Sequence, residues 1–175
     1  MNADIVALLG EGFIETVIMV IGSGVLGSII GIPLGVLLHV TDKGGLMPRL
    51  ATNAVVGVIV NAIRSTPFII LLVAIYPLTR LIVGTTIGTT ATLVPLVIGV
   101  APFIARLVET SLREVDRGLI EAAQSMGATD MQVITKVLIP EAMPGIVAGV
   151  TIAIVTLVGY SAMAGAIGGG GLGDI

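Results

Sequence analysis

Four long apolar runs, at about 14–40, 51–79, 90–108 and 145–165, restrict what this chain can fold into. Residues 16–40 carry no charge apart from a possible one at His39. At about 1.5 Å per residue, a helix of that length crosses the ~30 Å hydrocarbon core of a bilayer. The runs are continuous blocks with no period-2 alternation, so they read as membrane helices and not as strands of an outer-membrane barrel. The fold class is therefore an all-α polytopic membrane protein, with residues 1–175 as one transmembrane domain. A mean hydropathy of +1.15, with only 11% charged residues, excludes a soluble domain.

The 24 glycines fit this reading, because membrane helices approach each other through small residues. Gly27 and Gly31, and again Gly31 and Gly35, have the small-xxx-small spacing that admits a neighbouring helix. Pro33 is expected to kink or loosen the first span. Residues 1–4 contain no basic side chain and the first run is too long for a signal-peptide core, so it is expected as a retained span. A net charge of −3 with no basic face gives no support to nucleic-acid binding, whereas membrane lipid is the expected surrounding. There is no cysteine, hence no disulfide or thiol chemistry, and the single His39 reads as interfacial and not as a metal ligand.

The second run is interrupted by Asn53, Asn61, Arg64, Ser65 and Thr66, with Pro67 following. An arginine in a membrane segment is costly and demands a partner or a function. The stretch Asn61, Arg64, Ser65, Thr66 and Pro67 reads as a bent helix whose polar bend faces the protein interior. The alternative is that Arg64 snorkels to an interface near a helix end.

Between the third and fourth runs lies a polar island, at about 111–140. Ser111 and Glu114 have capping-box spacing, which predicts a helix with Val115, Leu119, Ala122 and Met126 as its apolar stripe. Gly127 is expected to end that helix in a left-handed conformation. Thr129 and Gln132 form a second capping box and start a second helix with Met131, Ile134 and Leu138 on one face, and Pro140 marks its passage into the last span. Lys and Arg counted by loop give Lys43, Arg49, Arg106, Arg113, Arg117 and Lys136 on one side against Arg80 on the other. The positive-inside rule then places the N-terminus outside and the island in the cytoplasm.

Glu121-Ala122-Ala123, three residues, Gly127, nine residues, then Val137-Leu138-Ile139-Pro140 resembles the EAA loop of ABC importer permeases. Val137 stands where the family pattern has Ile, and Ile139 where it has Leu. Arg64–Val73, Ala101–Arg106 and Gly159–Met163 are likewise similar to permease subunits of the bacterial methionine ABC importer. The resemblance covers nearly the whole chain from the first span onward and implies the type I importer transmembrane domain. It implies a homodimer in the bacterial cytoplasmic (inner) membrane, docking two copies of a cytoplasmic ABC ATPase. An extracytoplasmic methionine-binding lipoprotein would deliver L- and possibly D-methionine. Under this resemblance Glu121, Ala122, Ala123, Ser125, Met126, Gly127 and Ala128 couple to the ATPase, the paired alanines allowing close approach. The fourth span would line the pathway at the two-fold axis, with Met163 as a flexible apolar gate and Tyr160 and Ser161 offering hydrogen bonds nearby. Packing against a neighbouring helix is the other reading of Met163. The family has five helices where four are found here, and truncation or loss of the fifth is expected to account for that.

No Walker A pattern, nucleophile–base arrangement or metal cluster is visible, so the chain reads as a transport subunit and not an enzyme. It needs no cofactor of its own, ATP and Mg being bound by the partner ATPase. A permease for another amino acid or a small peptide, or a non-transporting scaffold that recruits the ATPase, are the alternatives. A secondary transporter would require intramembrane carboxylates, and Glu15, Glu109 and Glu141 sit only at the ends of runs.

Overall fold

The structure is a computed structural model that describes residues 2–175, with side chains from residue 4 onward. Met1, part of the N-terminal stretch expected from the sequence to be a retained segment, lies outside the described residues. The helices are α1 (Asn2–Thr41), α2 (Leu50–Ser65), α3 (Phe68–Ala74), α4 (Tyr76–Val83), α5 (Thr89–Arg113), α6 (Arg117–Ser125), α7 (Asp130–Val133) and α8 (Ile139–Ala164). A single π-helical turn at Ile134–Leu138 precedes α8, and after α8 the chain kinks within Gly165–Gly169, where Ile167 and Gly168 leave helical geometry.

The centre of the fold is α5, which packs against α1, α2, α3, α4 and α8. Its residues Leu96, Val100, Ile104, Val108 and Leu112 recur every four positions and are all buried. Leu138 of the π turn and Ala142, Ile146, Ala153 and Leu157 of α8 supply the facing stripe. The α1–α5 contact is closer than side chains would allow: a Cβ at Gly31 would lie 2.7 Å from the Ala101 carbonyl oxygen, and one at Gly35 2.5 Å from that of Ala105. Backbone-to-backbone packing of this kind replaces the hydrophobic drive that is missing between helices in lipid. Large apolar side chains on the other faces, such as Leu81, Val58 and Val155, point outward as a lipid-facing surface requires.

Several expected boundaries move. Asp4–Thr41, Thr89–Arg113 and Asp130–Gly169 are long and apolar enough to cross a membrane. The run at 51–79 is broken: α2 and α3, apolar enough to cross only when taken together, meet at 108° across Thr66 and Pro67, and α4 follows separately. Pro67 supplies no amide hydrogen and forces its predecessor out of the helical region, so Thr66 sits at ψ 126°. The helix that carries the first run starts at Asn2, ahead of residue 14, and the helix of the third continues to Arg113, beyond 108. The island is correspondingly shorter than 111–140. Its end is absorbed into α7 and α8, because the π turn, in which Ile139 N–H donates to the Ile134 carbonyl, carries the helix past Pro140 without a break. Helix α1 likewise runs on through Pro33.

Candidate functional site

The island consists of α6, a tight turn and α7. Ser111 does not cap it. Its hydroxyl donates to the Leu107 carbonyl inside α5, and Glu114 is the residue that ends α5. The N-cap of α6 is Asp116, whose carboxylate accepts from Gly118 N–H at 2.7 Å. At the other end Gly127 has φ 82°. Its N–H donates to the Gln124 carbonyl at 2.9 Å and that of Ala128 to the Ala123 carbonyl at 3.1 Å, which together make a Schellman motif. Thr129 and Gln132 form a capping box with both reciprocal bonds present, at 3.4 and 2.9 Å. Two helices are thus held end to end across four residues.

The orientation of α6 differs from the sequence expectation. Leu119, Ala122 and Met126 point outward, Met126 being 83% exposed, while Ile120 and Ala123 pack onto the protein body. Of the paired alanines only Ala122 is therefore open to a partner. Packing of Val115, Ile120 and Ala123 onto the body sets this orientation. Glu121 is exposed, Ser125 donates to its carbonyl at 2.8 Å, and Ala128 is half-buried in the turn. Met131 is 63% exposed, so α6 and α7 present Leu119, Met126 and Met131 as an apolar tip on a polar island, while Ile134 and Leu138 are buried. Behind the island a cleft of about 500 Å³ is bordered by His39, Lys43, Arg113, Arg117 and Glu121.

At the α2–α3 bend, Ser65 and Thr66 both donate their hydroxyls to the Ala62 carbonyl, at 3.0 and 2.9 Å. Arg64 extends over the Phe103 ring, 6.0 Å from its centroid. Phe68, at the far side of the bend, stacks on Tyr160 of α8 with centroids 4.3 Å apart and planes 2° from parallel. Arg64, Thr66, Phe68, Gly99, Phe103 and Tyr160 border a cleft of about 180 Å³. Met163, one turn beyond Tyr160, is 47% exposed on the outer face of α8. Ser161 does not join them: it is 2% exposed and its hydroxyl is spent on the Val158 carbonyl, because it lies on the stripe that packs inward with Leu157 and Ala164.

Sequence reasoning passed over Arg106, Glu109 and Arg113 as charges at the exit of a span. The structure makes them a network. Glu109 is 4% exposed and pairs with Arg106 at 2.5 Å and Arg113 at 2.7 Å. Arg113 reaches Asp42 of the α1–α2 loop at 2.8 Å, and Arg106 donates to Asn61 of α2 at 2.9 Å. Asn61 therefore belongs to this cluster and not to the bend. The i, i+3 and i, i+4 spacing of the three charges was the available signal.

These features define a polytopic helical membrane protein with a rigidly capped two-helix island at one end. The family model for the binding-protein-dependent transport system inner membrane component matches residues 27–175, and the chain belongs to that family. It is accordingly a transport component and not an enzyme, with the type I ABC importer permease fold. The chain is 60% identical over 161 residues to a Vibrio cholerae protein named "Probable D-methionine transport system permease protein MetI", covering 92% of this chain and 72% of that protein. It is 54% identical over 165 residues to the D-methionine transport system permease protein MetI of Escherichia coli (strain K12), covering 94% and 76%. A solved structure of inward-facing conformations of the MetNI methionine ABC transporter contains a chain that superposes with a TM-score of 0.97 at 54% identity, covering all of this chain and 81% of that one.

Proposed function

We propose that this chain is the membrane-spanning permease subunit of an ATP-driven importer of methionine, L- and D-forms both being admissible. The observation that carries the reading is the high identity to D-methionine permeases combined with an island built to bear load. Two copies of the chain form the transport unit, each docking one cytoplasmic ATPase, which binds the ATP and Mg. An extracytoplasmic lipoprotein delivers methionine from the other side. The N-terminus lies outside and the island in the cytoplasm, in the inner membrane. This orientation rests on the six-to-one distribution of Lys and Arg between alternate loops.

Coupling falls to Glu121, Ala122, Ser125, Met126, Gly127 and Ala128, with Ala123 holding α6 against the body. The exposed apolar tip supports this assignment, since Leu119, Met126 and Met131 have no use in water without a partner. ATPase closure would draw the islands of the two subunits together, and the Schellman turn and capping box would pass that displacement to α8 without melting. Met163 is the gate, with Tyr160 beside it; the exposure of Met163 on α8 supports contact with its symmetry mate.

The test is ATP-dependent uptake of labelled methionine by the chain reconstituted with its ATPase and binding protein, beside Gly127→Pro. Proline cannot adopt φ 82° and removes the N–H that bonds Gln124. Loss of uptake in a folded Gly127→Pro protein supports the coupled importer. A parent protein that binds the ATPase but moves no amino acid is instead a recruiting scaffold.

A further inference from the structure

Among the described residues Arg64 is a cation without a counter-charge. The described ion pairs are Arg106–Glu109, Arg113–Glu109 and Arg113–Asp42, and Arg64 takes part in none of them. It stands at the far end of α2, about 21 Å along the helix from Leu50 at ~1.5 Å per residue. It is exposed on the surface of the single chain, beside the α2–α3 bend, and an unpaired guanidinium in an apolar membrane segment is expensive. Its one contact of note is the Phe103 ring at 6.0 Å, the outer limit for attraction of a cation to an aromatic face.

The surroundings are shaped for a small ligand. The cleft that Arg64 borders measures about 180 Å³. Drug-sized sites run to about 300–1,000 Å³, so this one suits a molecule the size of a single amino acid. Its walls divide by chemistry. Arg64 supplies a planar, permanently charged donor set that matches a carboxylate in two parallel bonds. Phe103 and the stacked Phe68–Tyr160 pair supply apolar and aromatic surface, to which a thioether chain is attracted. Among the described residues the Tyr160 hydroxyl has no hydrogen-bond partner, and it can accept from an ammonium group. Gly99 lets the Phe68 ring lie close: a Cβ there would stand 3.3 Å from Phe68 Cδ2.

We propose that this cleft is a transit site for a zwitterionic amino acid, with Arg64 holding the α-carboxylate and Phe68, Phe103 and Tyr160 receiving the side chain. The inference rests on reading the chain as an amino-acid permease and adds the recognition chemistry to it. The site lies one helical turn inward of Met163, so a methionine passing that residue enters it next. A single charge-assisted contact with one wall of rings binds weakly, which suits a site that must release its ligand. Occupied, it replaces the missing counter-charge of Arg64. Recognition by the carboxylate also makes the site intolerant of an amino alcohol.

The chain contains no cysteine, so a single Thr66→Cys reports on the cleft alone. In the assembled complex with ATPase and binding protein, the rate at which a small maleimide modifies that thiol is measured against added L-methionine or methioninol. Methionine is expected to slow modification and methioninol, which lacks the carboxylate, is not. Adding Arg64→Gln should raise the methionine concentration for half-protection by about tenfold or more, and Arg64→Lys should raise it less. Equal protection by methioninol, or undiminished protection with Arg64→Gln, overturns the proposal. Carboxylate-dependent protection in a complex that transports no methionine leaves the site standing and removes the importer reading. Methionine uptake that is unaffected by Arg64→Gln, with no protection, does the reverse.

Discussion

Glu109 and Arg113 meet at 2.7 Å one turn apart on α5, and Arg113 carries the contact on to Asp42 at 2.8 Å. With Arg106 on its other oxygen, the Glu109 carboxylate ties the end of the central helix to the α1–α2 loop and, through Asn61, to α2. Arg113 is half exposed, so the larger share of the stabilisation lies with the less exposed Arg106 side. Glu109→Ala leaves that guanidinium short of its charge partner and is expected to cost about 3–5 kcal/mol. Thermal unfolding of the purified protein, read by size-exclusion profile, measures it; a shift no larger than that of Asp42→Ala would refute the central role of Glu109.

The α1–α5 seam has no room for a methyl group at Gly35, where a Cβ would meet the Ala105 carbonyl oxygen at 2.5 Å. Gly35→Ala should destabilise by about 1–3 kcal/mol through overpacking. Gly24 is the control, because a Cβ there would meet Ile154 at an ordinary 3.5 Å. Gly24→Ala should be neutral, or favourable by up to about 1 kcal/mol from the lower entropy of the unfolded chain. Melting temperatures of the two variants, measured side by side, should move in opposite directions or differ clearly in size.

At the island tip Met126 and Met131 support no core. Met126→Asp and Met131→Asp should change folding stability by no more than about 0.5 kcal/mol. Each should weaken co-purification of the ATPase severalfold if the apolar tip is the docking surface. ATPase affinity that is unaltered in the double variant would rule out that surface.

Near the other end, the Glu15 carboxylate accepts from Gly171 N–H at 2.6 Å and Thr16 Oγ1 from Leu172 N–H at 2.9 Å, holding the glycine-rich tail on α1. Gly170 and Gly171 both have φ 80°, so the tail has little intrinsic order to fall back on. Glu15→Ala removes a charge-assisted bond and should speed hydrogen exchange at Gly171 by about tenfold or more, with Glu15→Gln intermediate. An unchanged exchange rate would mean the tail is held by its other contacts, such as Gly88 N–H to the Gly168 carbonyl at 2.9 Å.

What was legible in advance was what is local. A 25-residue stretch without charge declares a membrane helix by its length, and Gly127 declares a left-handed turn because the sequence around it stops a helix there. The Thr129–Gln132 box joins residues three apart, so the spacing alone is informative. The same spacing misled at Ser111, since the hydroxyl found a carbonyl one turn back and the helix had no reason to end. In an apolar chain the usual in-or-out contrast is also weak. Leu119 and Met126 read as core by their character, although they face outward.

The sequence by itself determined that this chain is helical and membrane-embedded, and that its island turns at Gly127 and caps again at Thr129, because run length, turn glycines and capping spacing act within a few residues. Only the tertiary structure decided which faces meet. It set α2 and α3 at 108° across Pro67, stacked Phe68 on Tyr160, and brought Arg106 to Asn61 from 45 positions away. Those outcomes depend on the close packing of α1 and α8 around α5, where nearly every face is apolar and shape, not hydrophobic contrast, selects the partner.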